Sequence, residues 1–217
     1  LPRQRVDEAV MRQLGLKAAL GLHVAAEPPR RTDPQVARVY AAEVARRAPT
    51  LVKDVQKTLP LDPGTHERVL VISGGIVFPF LPEPLPFALP DMLAGKGFEI
   101  TMYEPGMEVG PDRFDLILYL FGDETLLTRG RIFLDWLGLT GHFGEAMARH
   151  WHEIPTVMIS FGYPYLLYDA PRAPTYINAY STTETMQRAV ADLLTGEGEW
   201  NRNNPVDPFC GLEDARY

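Results

Sequence analysis

Asp123 and Glu124 stand side by side where an apolar run, Phe114 to Phe121, gives way to Gly122. Two adjacent carboxylates at a strand end suit acid/base work, or accept hydrogen bonds from sugar hydroxyls. The plainer account is that one caps the next segment and the other is solvated. His142, His150 and His152 gather around Trp151 and Glu153. On a helix His150 and Glu153 are neighbours at i, i+3. A metal, however, wants two ligands facing one way and a third elsewhere, and no such set is recognisable. A solvated helix end accounts for His150 and His152. His142 lies between Gly141 and Phe143 in a loop and stays a candidate ligand contact. Tyr163, Tyr165 and Tyr168 present flat faces with polar tips, which serve sugars and loop packing alike. Tyr163 and Tyr165, in the turn Gly162-Tyr163-Pro164-Tyr165, join the candidates.

Three tempting motifs fail. Gly74-Gly75 follows a strand-like run, but Ile76-Val77-Phe78-Pro79 stands where a dinucleotide fingerprint needs its third glycine and a helix start. A structural turn is the better reading. Ser160, in Met158-Ile159-Ser160-Phe161-Gly162, lacks the first glycine of a nucleophile elbow. Cys210 sits late in the chain with no histidine after it, as a packed or partly exposed thiol does. No cofactor signature occurs.

The elements that must position these residues are apolar runs without alternation. Arg68 to Ser73, Phe114 to Phe121 and Thr156 to Phe161 each end in a small-residue turn. Strands buried on both faces read this way, and helical pattern between them implies a parallel sheet with ligands at its carboxyl ends. Phe98 to Tyr103 and Pro174 to Tyr180 supply two further strands, and Thr50 to Leu61 an extended pair or edge strand. Helices are expected over Phe87–Ala94, Phe143–Trp151 and, from a capping box at Ser181-Thr182-Thr183-Glu184, to about Leu194. Ahead of the sheet, Val6, Val10, Met11, Leu14 and Ala18 mark one helix face, with Gly21 placed to end it. A proline-marked connector, Glu27 to Arg31, leads to a second helix capped by Thr32 or Asp33 and stopped by Pro49. The fold class is α/β: a doubly wound, mostly parallel sheet of about five strands with N-terminal linker helices. Residues 1–31 form a helix and linker, 32–200 the sheet domain and 201–217 a surface-wrapping tail.

Composition narrows the functions. The formal charge of −7 argues against a nucleic-acid partner, which favours a basic face. One cysteine precludes an internal disulfide and fits a reducing, cytoplasmic setting. No apolar run approaches the roughly 20 residues that cross a bilayer, so no membrane partner is expected.

Short motifs in a fixed order complete the reading. Val6-Asp7-Glu8-Ala9-Val10 and Leu16-Lys17-Ala18-Ala19-Leu20-Gly21-Leu22 are followed by Thr50-Leu51-Val52-Lys53 and Leu59-Pro60-Leu61. Then come Ser160-Phe161-Gly162 with Pro164-Tyr165-Leu166-Leu167, Ala179-Tyr180-Ser181, Gln187-Arg188-Ala189 and Asn204-Pro205-Val206. Together they resemble the segment beyond the catalytic barrel in glycoside hydrolase family 3, especially its β-N-acetylhexosaminidase-like members. The resemblance implies a three-layer α/β sandwich that braces a (β/α)8 barrel and lends a loop to a saccharide pocket. The parent reaction would be hydrolysis of terminal β-linked N-acetylglucosamine or glucose. The family's barrel aspartate and its Lys-His-Phe-Pro-Gly-His-Gly-type segment are missing here, as is the Glu-Gly-x-Asp-Arg pattern of the glucosidase branch. No catalytic residue is therefore carried over. Asp123, Glu124, His142, Tyr163 and Tyr165 are substrate-contact candidates only. A free-standing small-ligand or sugar-binding module is the alternative.

Overall fold

Leu116–Phe121 and Val157–Ile159 are apolar throughout, and the strands that hold them, Leu116–Asp123 and Thr156–Ser160, are buried at every residue except Asp123. Such strands cannot face water on either side, so they become the middle of a sheet. In the computed structural model, which describes residues 2–24, 33–124 and 130–217, six strands form one sheet. They are β1 (Thr50–Asp54), β2 (Arg68–Val77), β3 (Glu99–Met102), β4 (Leu116–Asp123), β5 (Thr156–Ser160) and β6 (Thr175–Asn178), in spatial order β1-β6-β5-β4-β2-β3. β2 to β6 run parallel, and β1 closes one edge antiparallel to β6. The expected α/β sheet is there, with the Thr50 stretch as its antiparallel edge.

The chain divides into two units, Leu1–Ala37 and Arg38–Tyr217. In the first, helix α1 (Arg3–Ala19) ends as its sequence requires. Gly21 takes φ +67°, and the Gly21 and Leu22 N–H groups return to the Ala18 and Lys17 carbonyls. None of the α1 residues is buried. Helix α2 (Pro34–Arg47) begins where the Asp33 carboxylate accepts from the Gln35 N–H at 2.8 Å. Thr32 and the Glu27–Arg31 connector lie outside the described residues.

Within the second unit, strand alternation deals side chains to two cores. Val69, Val71, Leu118, Leu120, Val157, Ile159 and Ile177 face a layer built from α3 (Leu89–Ala94), α6 (Glu184–Leu194) and Ala45 of α2. Leu70, Ile72, Ile117, Tyr119, Met158 and Tyr176 face the opposite layer. That layer contains α4 (Trp136–Thr140), α5 (Phe143–Met147), short 3₁₀ turns and the tail. Each fully buried Leu or Ile contributes roughly 1.5–3 kcal/mol, so the two cores carry the fold.

Several local expectations change. The helix read as Phe143–Trp151 is α5 followed by a separate 3₁₀ turn at His150–His152, because Ala148 adopts an extended conformation. The capping box does not form. Thr183 caps α6 without a side-chain bond, and the helix start is held from elsewhere. The short α3 likewise has no capping side chain of its own. Its Ala88 and Leu89 N–H groups donate to the buried Gln187 Oε1 at 2.7 and 3.0 Å. β2 does not stop at Ser73. Gly75, at φ +76°, lets the strand bulge and continue to Val77, where Ile76 exchanges hydrogen bonds with Leu85. The tail has structure too: Asn201 bridges Thr50, Glu213–Arg216 forms a 3₁₀ turn, and Phe209 and Ala215 are buried.

Lys53 joins that tail to the sheet. The residue is 7% exposed, and its ammonium donates to the Pro171 carbonyl at 2.8 Å and the Ala215 carbonyl at 2.7 Å. Burial lowers its pKa from 10.5 to about 8. Between those values the unfolded chain holds a proton that the folded chain has released, so this group's contribution to stability rises with pH across that window. Subtracting the denaturation free energy of Lys53→Met from that of the wild type should give a difference that climbs by about 1–3 kcal/mol from pH 8 to 10.5. A flat difference would show that Lys53 is not desolvated.

Candidate functional site at the carboxyl ends of the strands

The chain leaves β2 for β3 on one side and returns to β4 on the other, which makes the β2/β4 boundary a topological switch point. Open α/β sheets bind ligands in the crevice at such a point. Two cavities meet there, of about 690 and about 230 Å³, sharing Gly74, Gly75, Pro84 and Leu120 in their walls. The larger runs under the proline-rich loop between β2 and α3, past Phe87, Pro90, Ile100 and Met102. The smaller holds Asp123 and Asp135 among Phe133, Leu134 and Leu139. Their outer rim is apolar. Phe80 is 78% exposed and packs edge-on to Phe78 at 6.2 Å, with Leu81, Leu85, Phe133 and Leu137 also exposed.

Of the five candidates, only Asp123 lines the crevice. Glu124 turns away to the start of α6, where its Oε1 accepts from the Thr182 N–H at 2.6 Å and the Thr182 hydroxyl at 2.8 Å. It thus anchors the turn that leads into α6. Tyr163 and Tyr165 pair edge-to-face at 5.3 Å, and Tyr163 packs on the second core, where burial pushes its phenol pKa up. His142 is exposed at the N-cap of α5 and lines neither cavity.

Glycine at the strand ends is there for packing. The Tyr163 N–H donates to the Asp123 carbonyl at 2.8 Å, and a Cβ on Gly162 would lie 2.2 Å from that same oxygen. On Gly122 it would lie 2.7 Å from the Ile76 Cα, and on Gly75 2.7 Å from the Pro84 Cβ. The Ser160 hydroxyl donates to the Tyr163 carbonyl at 2.5 Å, which makes it a strand-end brace as its sequence context suggests. β4, β5 and the start of α6 are thereby stitched together beside the crevice.

Sequence reasoning missed other groupings. His150 pairs through Nε2 with Glu145 at 3.0 Å rather than with Glu153, because the 3₁₀ turn breaks the helical register. The Arg149 guanidinium stacks on Trp136 at 4.0 Å and lies 5.9 Å from Trp151. Burial lowers its pKa. The Trp-rich composition of that stretch was the available signal. Among the described residues no group of three His, Cys, Asp or Glu is placed to hold a metal ion. No described helix is long and apolar enough to cross a membrane.

No protein-family model matches the chain. A beta-N-acetylglucosaminidase/beta-glucosidase of Cellulomonas fimi is 32% identical over 98% of the chain, which covers 40% of that protein. Among solved structures, the beta-glucoside phosphorylase BglX superposes with a TM-score of 0.79 at 32% identity, over 99% of this chain and 40% of its own. A glycoside hydrolase family 3 beta-N-acetylglucosaminidase from Paenibacillus shares the fold at a TM-score of 0.53 and 19% identity. Over nearly its whole length the chain is thus similar to part of a beta-N-acetylglucosaminidase/beta-glucosidase and of a beta-glucoside phosphorylase, and it shares the fold of part of a glycoside hydrolase family 3 enzyme. It spans about 40% of the length of the relatives it matches.

Gly162→Ala should destabilise the chain by about 2–4 kcal/mol in chemical denaturation, since backbone rather than a yielding side chain meets the new methyl. Glu124→Ala should cost about 1 kcal/mol through the lost hydrogen bonds to Thr182, and Glu124→Gln less. Wild-type stability in Gly162→Ala would refute the packing role of that glycine.

Proposed function

We propose that this chain is the accessory half of a β-glycoside-cleaving enzyme, bracing a (β/α)8 catalytic barrel and lending its strand-end rim to the wall of the sugar pocket. The carrying observation is that nearly all of the chain aligns with only 40% of a relative named for cleaving β-linked N-acetylglucosamine and glucose. The geometry is consistent with that role. A retaining glycosidase needs two carboxyl groups about 5 Å apart, and of the adjacent pair Asp123 and Glu124, the second is committed to α6. In α1, Val6, Val10, Met11 and Leu14 remain 45–69% exposed, the kind of apolar face that a larger partner covers. On this reading Asp123 reaches the pocket from the crevice. The contributions of His142, Tyr163 and Tyr165 are to position the neighbouring loops.

A second reading of the chemistry has its own support, because the 32% identical structure is named a phosphorylase. The acceptor in the parent reaction would then be phosphate in place of water. The isolated chain should give no turnover of nitrophenyl β-glucoside or β-N-acetylglucosaminide, whereas the chain joined to its barrel should. Release of glycosyl phosphate only when phosphate is added would select phosphorolysis, and phosphate-independent release of free sugar would select hydrolysis. Turnover by the isolated chain would overturn the accessory role.

A further inference from the structure

β3 is the open edge of the sheet, hydrogen-bonded on one side only. The Glu99 and Tyr103 N–H groups turn inward, to the Glu67 and Val71 carbonyls at 2.8 and 2.9 Å. By strand alternation the N–H and C=O groups of Ile100 and Met102 point outward. The side chains of those same two residues line the 690 Å³ cavity. An unpaired backbone ladder and an apolar pocket thus share two residues, the arrangement by which a sheet edge accepts an extended segment as an added strand.

Charge selects the occupant. Glu83, Asp91, Glu99 and Glu104 surround the edge, all are exposed, and none of their carboxylates has a hydrogen-bond or ion-pair partner among the described residues. The nearby Lys96 is already held by Asp192 and Glu197. A second copy of this chain would bring the same acids into register and be repelled. The geometry points to β3 as a docking edge for an extended peptide segment that alternates apolar with basic residues. Its backbone pairs with Ile100 and Met102, its apolar side chains enter the cavity beside Asp91, and its basic side chains meet Glu99, which alternates to the opposite face of the sheet.

The probe is a blocked five-residue peptide of alternating valine and lysine, titrated against the 217-residue chain. Amide hydrogen exchange is read at Ile100 and Met102. Saturable binding that slows exchange at both amides and weakens with added salt is expected. Met102→Pro removes an outward donor while leaving the inward ladder intact, so it should abolish binding. Should that variant fail to fold, the triple surface variant Asp91→Asn, Glu99→Gln, Glu104→Gln tests the same edge and should weaken binding about tenfold. The proposal is overturned by equal binding of a valine–glutamate peptide, by binding without protection of the two amides, by indifference to both variants, or by self-association of the chain through β3.

Discussion

The structure depends on one constraint: β4, β5 and β6 are shut off from water on both faces. A buried backbone donor or acceptor without a partner costs as much as a lost hydrogen bond. These strands must therefore satisfy each other along their whole length, and they do so in unbroken parallel register from Ile117–Thr156 to Ser160–Asn178. The ends of the strands inherit the requirement. Where the ladder stops, Phe161 and Tyr163 still find the Phe121 and Asp123 carbonyls, and only glycine at 162 permits the approach. The crevice is shaped by this closure, because what remains open lies to the side of β4 where β2 and β3 diverge.

The same constraint explains how much the sequence disclosed. Runs such as Val69–Ile72 and Val157–Ile159 are legible because double burial leaves no room for polar alternation, and they are the strands observed. The antiparallel placement of Thr50–Asp54 was less visible, since an edge strand's partner is set by tertiary packing. Boundaries slipped where distant residues intervened. Gln187 supplies the cap that α3 lacks, and Glu124 holds the turn into α6, across 98 and 58 positions of sequence. Local pattern contains no trace of either. Gly74-Gly75 reads as a turn in the sequence, and the extra residue of a bulge looks the same in one dimension.

For the candidate site, residue type proved a better guide than adjacency. Asp123 and Glu124 are neighbours in the chain and face different tasks, one in the crevice and one on α6. Alternation along a strand end makes such a parting natural, so a carboxylate pair read from sequence is a weak signal of a catalytic pair. The aromatic residues behaved likewise. Tyr163 and Tyr165 satisfy each other and the second core, while the exposed rings, Phe78 and Phe80, belong to a loop whose proline content had marked it only as irregular. Pro79, Pro82 and Pro84 restrict that loop, so its apolar side chains are displayed at little entropic cost.

The reach of Lys53 to the Ala215 carbonyl spans 162 positions, and β1 meets both β6 and the tail. A chain made from its amino end therefore carries an unfinished sheet until Asn201 and Ala215 are available. β1 must wait with an unpaired edge and a solvated lysine while the parallel core assembles beside it. A polypeptide that stops short of Ala215 would have its interior almost complete and its first strand unclasped, a form suited to capture by chaperones or proteases.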